Sequence, residues 1–177
     1  MNADEVVHAV RLAFEVIGGL TVLLAFFTGL ATFLGWTAGV FVVFKRLGLG
    51  RWYRKLLIVG SATDTTSLKK DLVDSVVFRE KNVHEAGSRN LSDVKDASLI
   101  LLDYWSMTES QVSTVLANKR KSAGLVVYSP MGGGRIPDNI SEKINNEPFT
   151  TIVNMRGRLV NDLLVTLMST SYDKKQR

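Results

Sequence analysis

Four short stretches of this chain gather residue types that bind anions, sugars and bases. They are Gly60-Ser61-Ala62-Thr63-Asp64-Thr65-Thr66, Asp103-Tyr104-Trp105-Ser106, Ser129-Pro130-Met131-Gly132-Gly133-Gly134-Arg135 and Asn154-Met155-Arg156-Gly157-Arg158. Hydroxyls and glycine amides at a helix start hold phosphate, because backbone N–H groups and the helix dipole point at the anion. Arginine forks grip phosphate in a bidentate way, and Tyr104 or Trp105 offers a ring on which a base can stack. The candidate ligand-binding set is Ser61, Thr63, Asp64, Thr65, Tyr104, Trp105, Ser129, Gly133, Arg135, Asn154, Arg156 and Arg158. Together these residues suit a nucleotide. Each also has a plainer use: Ser or Thr after a strand caps a helix, Gly132–Gly134 makes a loop, and Trp105 fills a core.

Other chemistries are poorly served. The chain has no cysteine, which excludes thiolate metal sites, disulfides and cysteine nucleophiles. His8 and His84, the two histidines, are far apart in sequence, so no histidine-rich metal site and no cofactor are expected. A net charge of +5 invites a nucleic-acid reading. Residues 55–177, however, hold seventeen basic and fourteen acidic side chains in alternating sign. Duplex binding by counterion release favours a basic stripe, and Lys119-Arg120-Lys121 reads as a solvated helix end instead. No duplex nucleic acid is expected as a partner.

The four stretches need elements to position them. Leu56–Val59 is a compact apolar run that suits a strand buried on both faces, stopping at Gly60. Helical spacing follows over Thr65–Ser75, and Val76–Phe78 reads as a second strand. Leu91–Lys95 is a brief helical turn and Ser98–Asp103 the clearest central strand. Thr108–Lys121 is a helix that Ser106 or Thr108 can cap. Leu125–Tyr128 is the next strand, Pro137–Asn145 a short helix, Thr150–Val153 the fifth strand and Leu159–Met168 the closing helix. Alternation of this kind predicts an α/β domain, a small five-stranded Rossmann- or flavodoxin-like parallel sheet covered on both faces. Ligands of such sheets sit at the carboxyl ends of the strands, where the four stretches fall. Strand order is not readable.

Upstream of this domain, the 29 residues Val16–Phe44 carry no charge. As a helix rising about 1.5 Å per residue they span about 43 Å, more than a hydrocarbon core of about 30 Å. The run is too long for a secretory signal, and no small-x-small cleavage site follows before Lys45. A buried hairpin of a soluble protein is the plainer alternative. Lys45, Arg46, Arg51, Arg54 and Lys55 follow the span with Trp52 and Tyr53, whereas Asp4, Glu5 and Glu15 precede it. Positive charge marks the cytoplasmic side and aromatic rings the headgroup layer, so the N-terminus is expected outside an inner, cytoplasmic membrane. Ala31, Gly35 and Gly39 form a small-xxx-small row suited to helix association. Thr21, Thr28, Thr32 and Thr37 are the hydroxyls that would face water if the helix lined a pore. The expected division is a tail and transmembrane helix over 1–46, an interfacial linker over 47–54 loosened by Gly48 and Gly50, an α/β domain over 55–172, and a tail over 173–177.

Over residues 55–170 the layout resembles, at fold level, the CARF domains that sense cyclic oligoadenylates in type III CRISPR systems. Some of those are fused to membrane helices. The resemblance implies that Ser61, Thr63, Thr65 and the two basic loops bind the ring, with the site formed across a dimer. A second resemblance rests on Trp105 and Glu109, which match the spacing of tryptophan and catalytic glutamate in TIR enzymes that hydrolyse NAD. There Ala86-Gly87 would belong to the preceding loop. Ile58-Val59-Gly60-Ser61 departs from the aromatic-serine opening of that family, and Glu109 also reads simply as a helix-start carboxylate. A phospho-receiver, suggested by the strand-terminal Asp103, is excluded because no acidic pair follows the first strand and no lysine ends the fifth.

The function expected from these readings is that of a membrane-anchored sensor or effector in a homo-oligomer. Its cytoplasmic domain would bind a nucleotide-type second messenger, and its helix would act on the membrane, as in antiviral defence. The alternatives are a tethered NAD hydrolase using Glu109 and a scaffold that recruits a partner protein.

Overall fold

A computed structural model of the chain describes residues 3–88 and 90–170. The tail expected over 173–177 lies outside them. The chain divides into two compact units, Met1–Val43 and Phe44–Arg177.

Helix α1 runs over Ala3–Tyr53. Its segment Phe14–Phe41, 28 residues, is long and apolar enough to cross a membrane, and none of its most apolar stretch is buried in the protein. Phe14, Phe26, Phe27, Phe33 and Trp36 are all exposed rather than packed into a core. The threonine hydroxyls bond their own helix: Thr21 donates to Ile17 O (2.8 Å), Thr32 to Thr28 O (2.8 Å) and Thr37 to Leu34 O (3.0 Å). Their donors therefore need no water. The loosened linker expected at 47–53 is helical instead, because α1 continues through Gly48 and Gly50 to Tyr53. One glycine costs a helix about 1 kcal/mol, too little to break a long one.

The second unit is an α/β domain with an all-parallel sheet. Its strands are β1 (Leu56–Gly60), β2 (Val83–Gly87), β3 (Leu99–Asp103), β4 (Gly124–Tyr128) and β5 (Thr150–Val153), in spatial order β2-β1-β3-β4-β5. Helices α2 (Ala62–Asp74), α3 (Glu109–Asn118), α4 (Asp138–Asn145) and α5 (Leu159–Ser169) cover it. Alternate side chains of β1, β3 and β4 enter opposite layers. Leu57, Val59, Ile100, Leu102, Leu125 and Val127 pack against α3 and α4. Leu56, Ile58, Leu99, Leu101 and Val126 pack against α2 and α5. Each such leucine or isoleucine, buried from water, contributes about 1.5–3 kcal/mol. Arg54, which follows α1 directly, is buried. Its guanidinium donates to Leu167 O (2.7 Å), Thr170 O (2.7 Å) and the Thr170 hydroxyl, closing the C-terminal end of α5 with a cation.

One strand lies elsewhere than expected. Val76–Phe78 is a turn, and the second strand is Val83–Gly87. Val76 occupies the position just past the cap of α2 with φ +61°, and its N–H donates to Val73 O (3.0 Å). That left-handed position ends helices and belongs by preference to glycine. Smaller shifts occur at helix ends. α2 begins at Ala62 because the Ser61 hydroxyl accepts from Asp64 N, and α3 ends at Asn118 after a capping box between Thr108 and Gln111.

Val76 is exposed, so it packs against little. The left-handed conformation costs a residue with a Cβ about 1–2 kcal/mol, partly offset by the larger unfolded-state entropy of glycine. Val76→Gly should raise stability by about 0.5–1 kcal/mol, read as a higher midpoint in thermal melts of the detergent-solubilised full chain. A lower midpoint would contradict the cap.

Candidate functional site

In this order strands are added outward in opposite senses from the β1–β3 pair, and the crevice of an open parallel sheet lies at that point. A crevice of about 310 Å³ is found there, lined by Asp64, Ser67, Leu68, Asp103, Trp105, Ser106, Tyr128, Pro130 and Arg156. It draws on α2, the turns after β3 and β4, and the turn after β5.

The floor is built by a close approach. A Cβ on Gly60 would stand 2.8 Å from Ser106 Oγ and 3.0 Å from Asp103 Cβ, so only glycine fits. Next to it, Ser61 N–H donates to Ser106 Oγ (3.0 Å), tying the end of β1 to the turn after β3. Ser106 Oγ in turn donates to Asp103 O (3.0 Å). The Asp103 carboxyl is buried, and burial pushes its pKa above the ordinary value of 3.8. A hydrogen bond from Ser106 opposes that shift, and the nearby charge of Asp64 adds to it. Asp64 itself, at the start of α2, accepts from the Ser61 hydroxyl (2.5 Å).

The far rim is cationic. Arg156 Nε donates to Asp71 Oδ2 (2.5 Å) and its Nη2 to Ser67 Oγ (2.6 Å), which holds the turn after β5 against α2. The hydrogen bond to Asp71 is the main reason the guanidinium pKa stands above its usual value. Between floor and rim stands Trp105. Its Nε1–H donates to Ser129 Oγ (3.0 Å), and Tyr104 packs edge-on against it with centroids 5.0 Å apart. Gly133 lies under the indole: a Cβ there would come within 2.2 Å of Trp105 Nε1. The glycine loop is thus fitted to the tryptophan.

The candidate residues do not form one cluster. Asp64, Trp105 and Arg156 line the crevice. Ser129, Arg135 and Asn154 line a second, more open hollow beside β5, and Pro130 touches both. Ser61 caps α2. Thr65 is buried, bonding Ala62 O and the Glu85 carboxylate, and Thr63 is exposed. Tyr104 is a core residue. Arg135 pairs with Asp138 (2.7 Å) and Arg158 with Asp162 (3.8 Å). Glu109 is exposed in the first turn of α3 and is not a lining residue of the crevice. Among the described residues no group of three or more metal-ligating side chains occurs.

Asp103, Ser106, Ser67 and Tyr128 were not among the candidates. Asp103 carried a readable signal, a carboxylate closing four buried apolar positions. Ser67 and Asp71 carried none, since their partner Arg156 is more than eighty residues away in sequence. A crevice lined by carboxylates and a guanidinium offers acceptors to hydrogen-bond donors and a cation to an anion.

The raised pKa of Asp103 has a definite sign in stability. The folded state holds this proton more tightly than the unfolded chain, so its contribution is fully present below 3.8 and is lost as pH rises through the higher folded value. Asp103→Asn should therefore flatten the pH dependence of the melting midpoint over that window and leave the protein at least as stable at pH 7. A midpoint at pH 7 well below that of the unsubstituted chain would show that the ionised carboxylate is structurally required.

No family model, curated protein or solved structure matches this chain, and the chemistry of the crevice rests on its own residues.

Proposed function

We propose that this protein is a membrane-anchored sensor whose α/β domain binds a nucleotide-type ligand in the crevice between β1 and β3. The observation that carries the reading is the polarity of that crevice. Asp103, Asp64 and Arg156 line it together with Trp105 and Tyr128. Sugar hydroxyls or an exocyclic amine suit the carboxylates, a phosphate suits the guanidinium, and the rings flank a base. Cyclic oligoadenylate is one ligand of this class.

Arg156 already serves Asp71 and Ser67, so a phosphate would compete for it. Binding then loosens the tie between α2 and the turn after β5, and a ligand biases this balance only through its different affinity for the two arrangements. The helical backbone of α1 as far as Tyr53, followed by the buried Arg54, supports transmission without a slack linker. Open space around Gly35 and Gly39 supports association of α1 with another helix, through the row that also includes Ala31. The cationic flank supports a cytoplasmic α/β domain on the inner side of the membrane, and in this reading binding acts on membrane integrity through α1.

Isothermal titration of the full chain in detergent against cyclic and linear nucleotides tests the ligand. Arg156→Ala should weaken binding about tenfold or more, the cost of roughly 1.5–3 kcal/mol for a hydrogen bond to a charged group. Asp103→Asn should weaken it as well, through the donors at the floor. Absence of binding by every nucleotide would refute the reading, and nicotinamide release from NAD that vanishes in Glu109→Gln would replace it with an enzyme. Orientation is tested separately: protease added to inverted inner-membrane vesicles should digest the α/β domain. Protection there, with digestion in spheroplasts, would reverse the topology.

A further inference from the structure

The two edges of the sheet differ in a way that folding alone does not require. Edge strands offer free backbone groups to other chains, and proteins blunt them with charge, proline or a bulge. β2 follows that rule: His84 and Glu85 are exposed on it, and Glu85 is held by Lys69 at 3.0 Å. β5 does not. Thr150-Thr151-Ile152-Val153 carries no charge and no proline, and its register with β4 is unbroken.

Exposed apolar side chains collect at the same edge. Phe149, Ile152 and Met155 lie on β5 or beside it, and Met131 joins Ile152 in lining the second hollow. Phe149 also sits at φ +55°, a left-handed conformation that costs a bulky residue about 1–2 kcal/mol. Such strain marks positions held for something other than stability. The backbone of the edge is equally unpartnered. Phe149 O and Val153 O accept from Leu125 N and Ser129 N of β4, so by alternation the groups of Thr150, Ile152 and Asn154 face outward.

We propose that β5 pairs antiparallel with β5 of a second copy of this chain, Ile152 opposite Ile152, so that the sheet continues across a twofold axis. Identical strands related by a twofold run antiparallel, and the contact closes after two copies. In this register Thr150 of one copy faces Asn154 of the other, so all the outward backbone groups find partners. The charges at the strand ends also match. Glu147, which Lys119 holds at 3.5 Å, precedes β5, while Arg156 and Arg158, each paired with a carboxylate of its own chain, follow it, and antiparallel pairing sets the basic turn of each copy beside the acidic residue of the other. This self-matching is the reason to assign the edge to a second copy rather than to an unrelated peptide. The backbone pairing does not depend on what the crevice binds, although Arg156 lies near both.

The cysteine-free chain allows a direct test. Ile152 and His84 are exposed on opposite edges, so cysteine at either leaves the core intact. A hydrogen-bonded antiparallel pair sets Cα atoms about 5.5 Å apart, inside the range of roughly 4.4–6.8 Å that a disulfide spans. Full-length Ile152→Cys in membranes, treated with a mild oxidant, should give a disulfide-linked dimer while His84→Cys stays monomeric. Adding Arg158→Glu should slow the cross-link. Failure of Ile152→Cys to cross-link overturns the proposal. So does equal cross-linking at both edges, which would reflect association through α1 alone, or capture of a different protein in place of the self-dimer.

Discussion

The contact on which the crevice depends lies between the ends of β1 and β3, where Gly60 has no room for a side chain. With a Cβ barred by Ser106 Oγ and Asp103 Cβ, the two strand ends approach closely enough for Ser61 N–H to reach the Ser106 hydroxyl. That bond fixes where α2 begins, since the same Ser61 caps the helix with its side chain. It also sets Asp103 at the floor. Because β1 and β3 are buried on both faces, no mid-strand residue can present a polar group to solvent. Chemistry is thereby pushed to the strand ends.

The same two-sided burial decided what could be read from the sequence. β1, β3 and β4 appear there as unbroken apolar runs because both of their faces meet helices. β2 did not appear. As an edge strand it buries only Val83 and Ala86 and exposes His84, Glu85 and Gly87, so it resembles a polar loop. The nearby triplet Val76-Val77-Phe78 is more apolar and drew the strand assignment, although Val76 ends a helix in a left-handed turn and only Phe78 is fully buried. Local propensity and hydrophobicity pointed together at the wrong triplet, and tertiary position settled the matter. Strand order lay beyond the sequence, because it is a property of which edges meet.

The site was legible as a place and not as a set of side chains. Residues after β1, β3, β4 and β5 do converge, since parallel strands bring those turns to one end. Which of them turn inward depends on pairings that span the chain. Arg156 was readable as an anion grip, yet in the folded protein its first partner is Asp71. Arg135 and Arg158 are likewise paired with nearby carboxylates, and both are largely exposed. An arginine so engaged at a surface gains little, about 0–1 kcal/mol. The carboxylate floor carries no such ambiguity. A buried Asp103 with its proton affinity raised by desolvation is a cost to the fold, and donors from a ligand would lower that cost.

Helix α5 runs through the second unit from the turn beside the crevice to Arg54. It begins directly after the Arg156–Arg158 turn, and it ends at the carbonyls that Arg54 caps. Its inner face, Leu159, Leu163 and Leu167, is locked into the layer formed with β1, β3 and β4. Eleven residues at about 1.5 Å each set these two ends about 16 Å apart. A packed helix moves as a body, because its interdigitated side chains resist local deformation. Arg156 stands just before one end of this helix, and the Arg54 guanidinium holds the other.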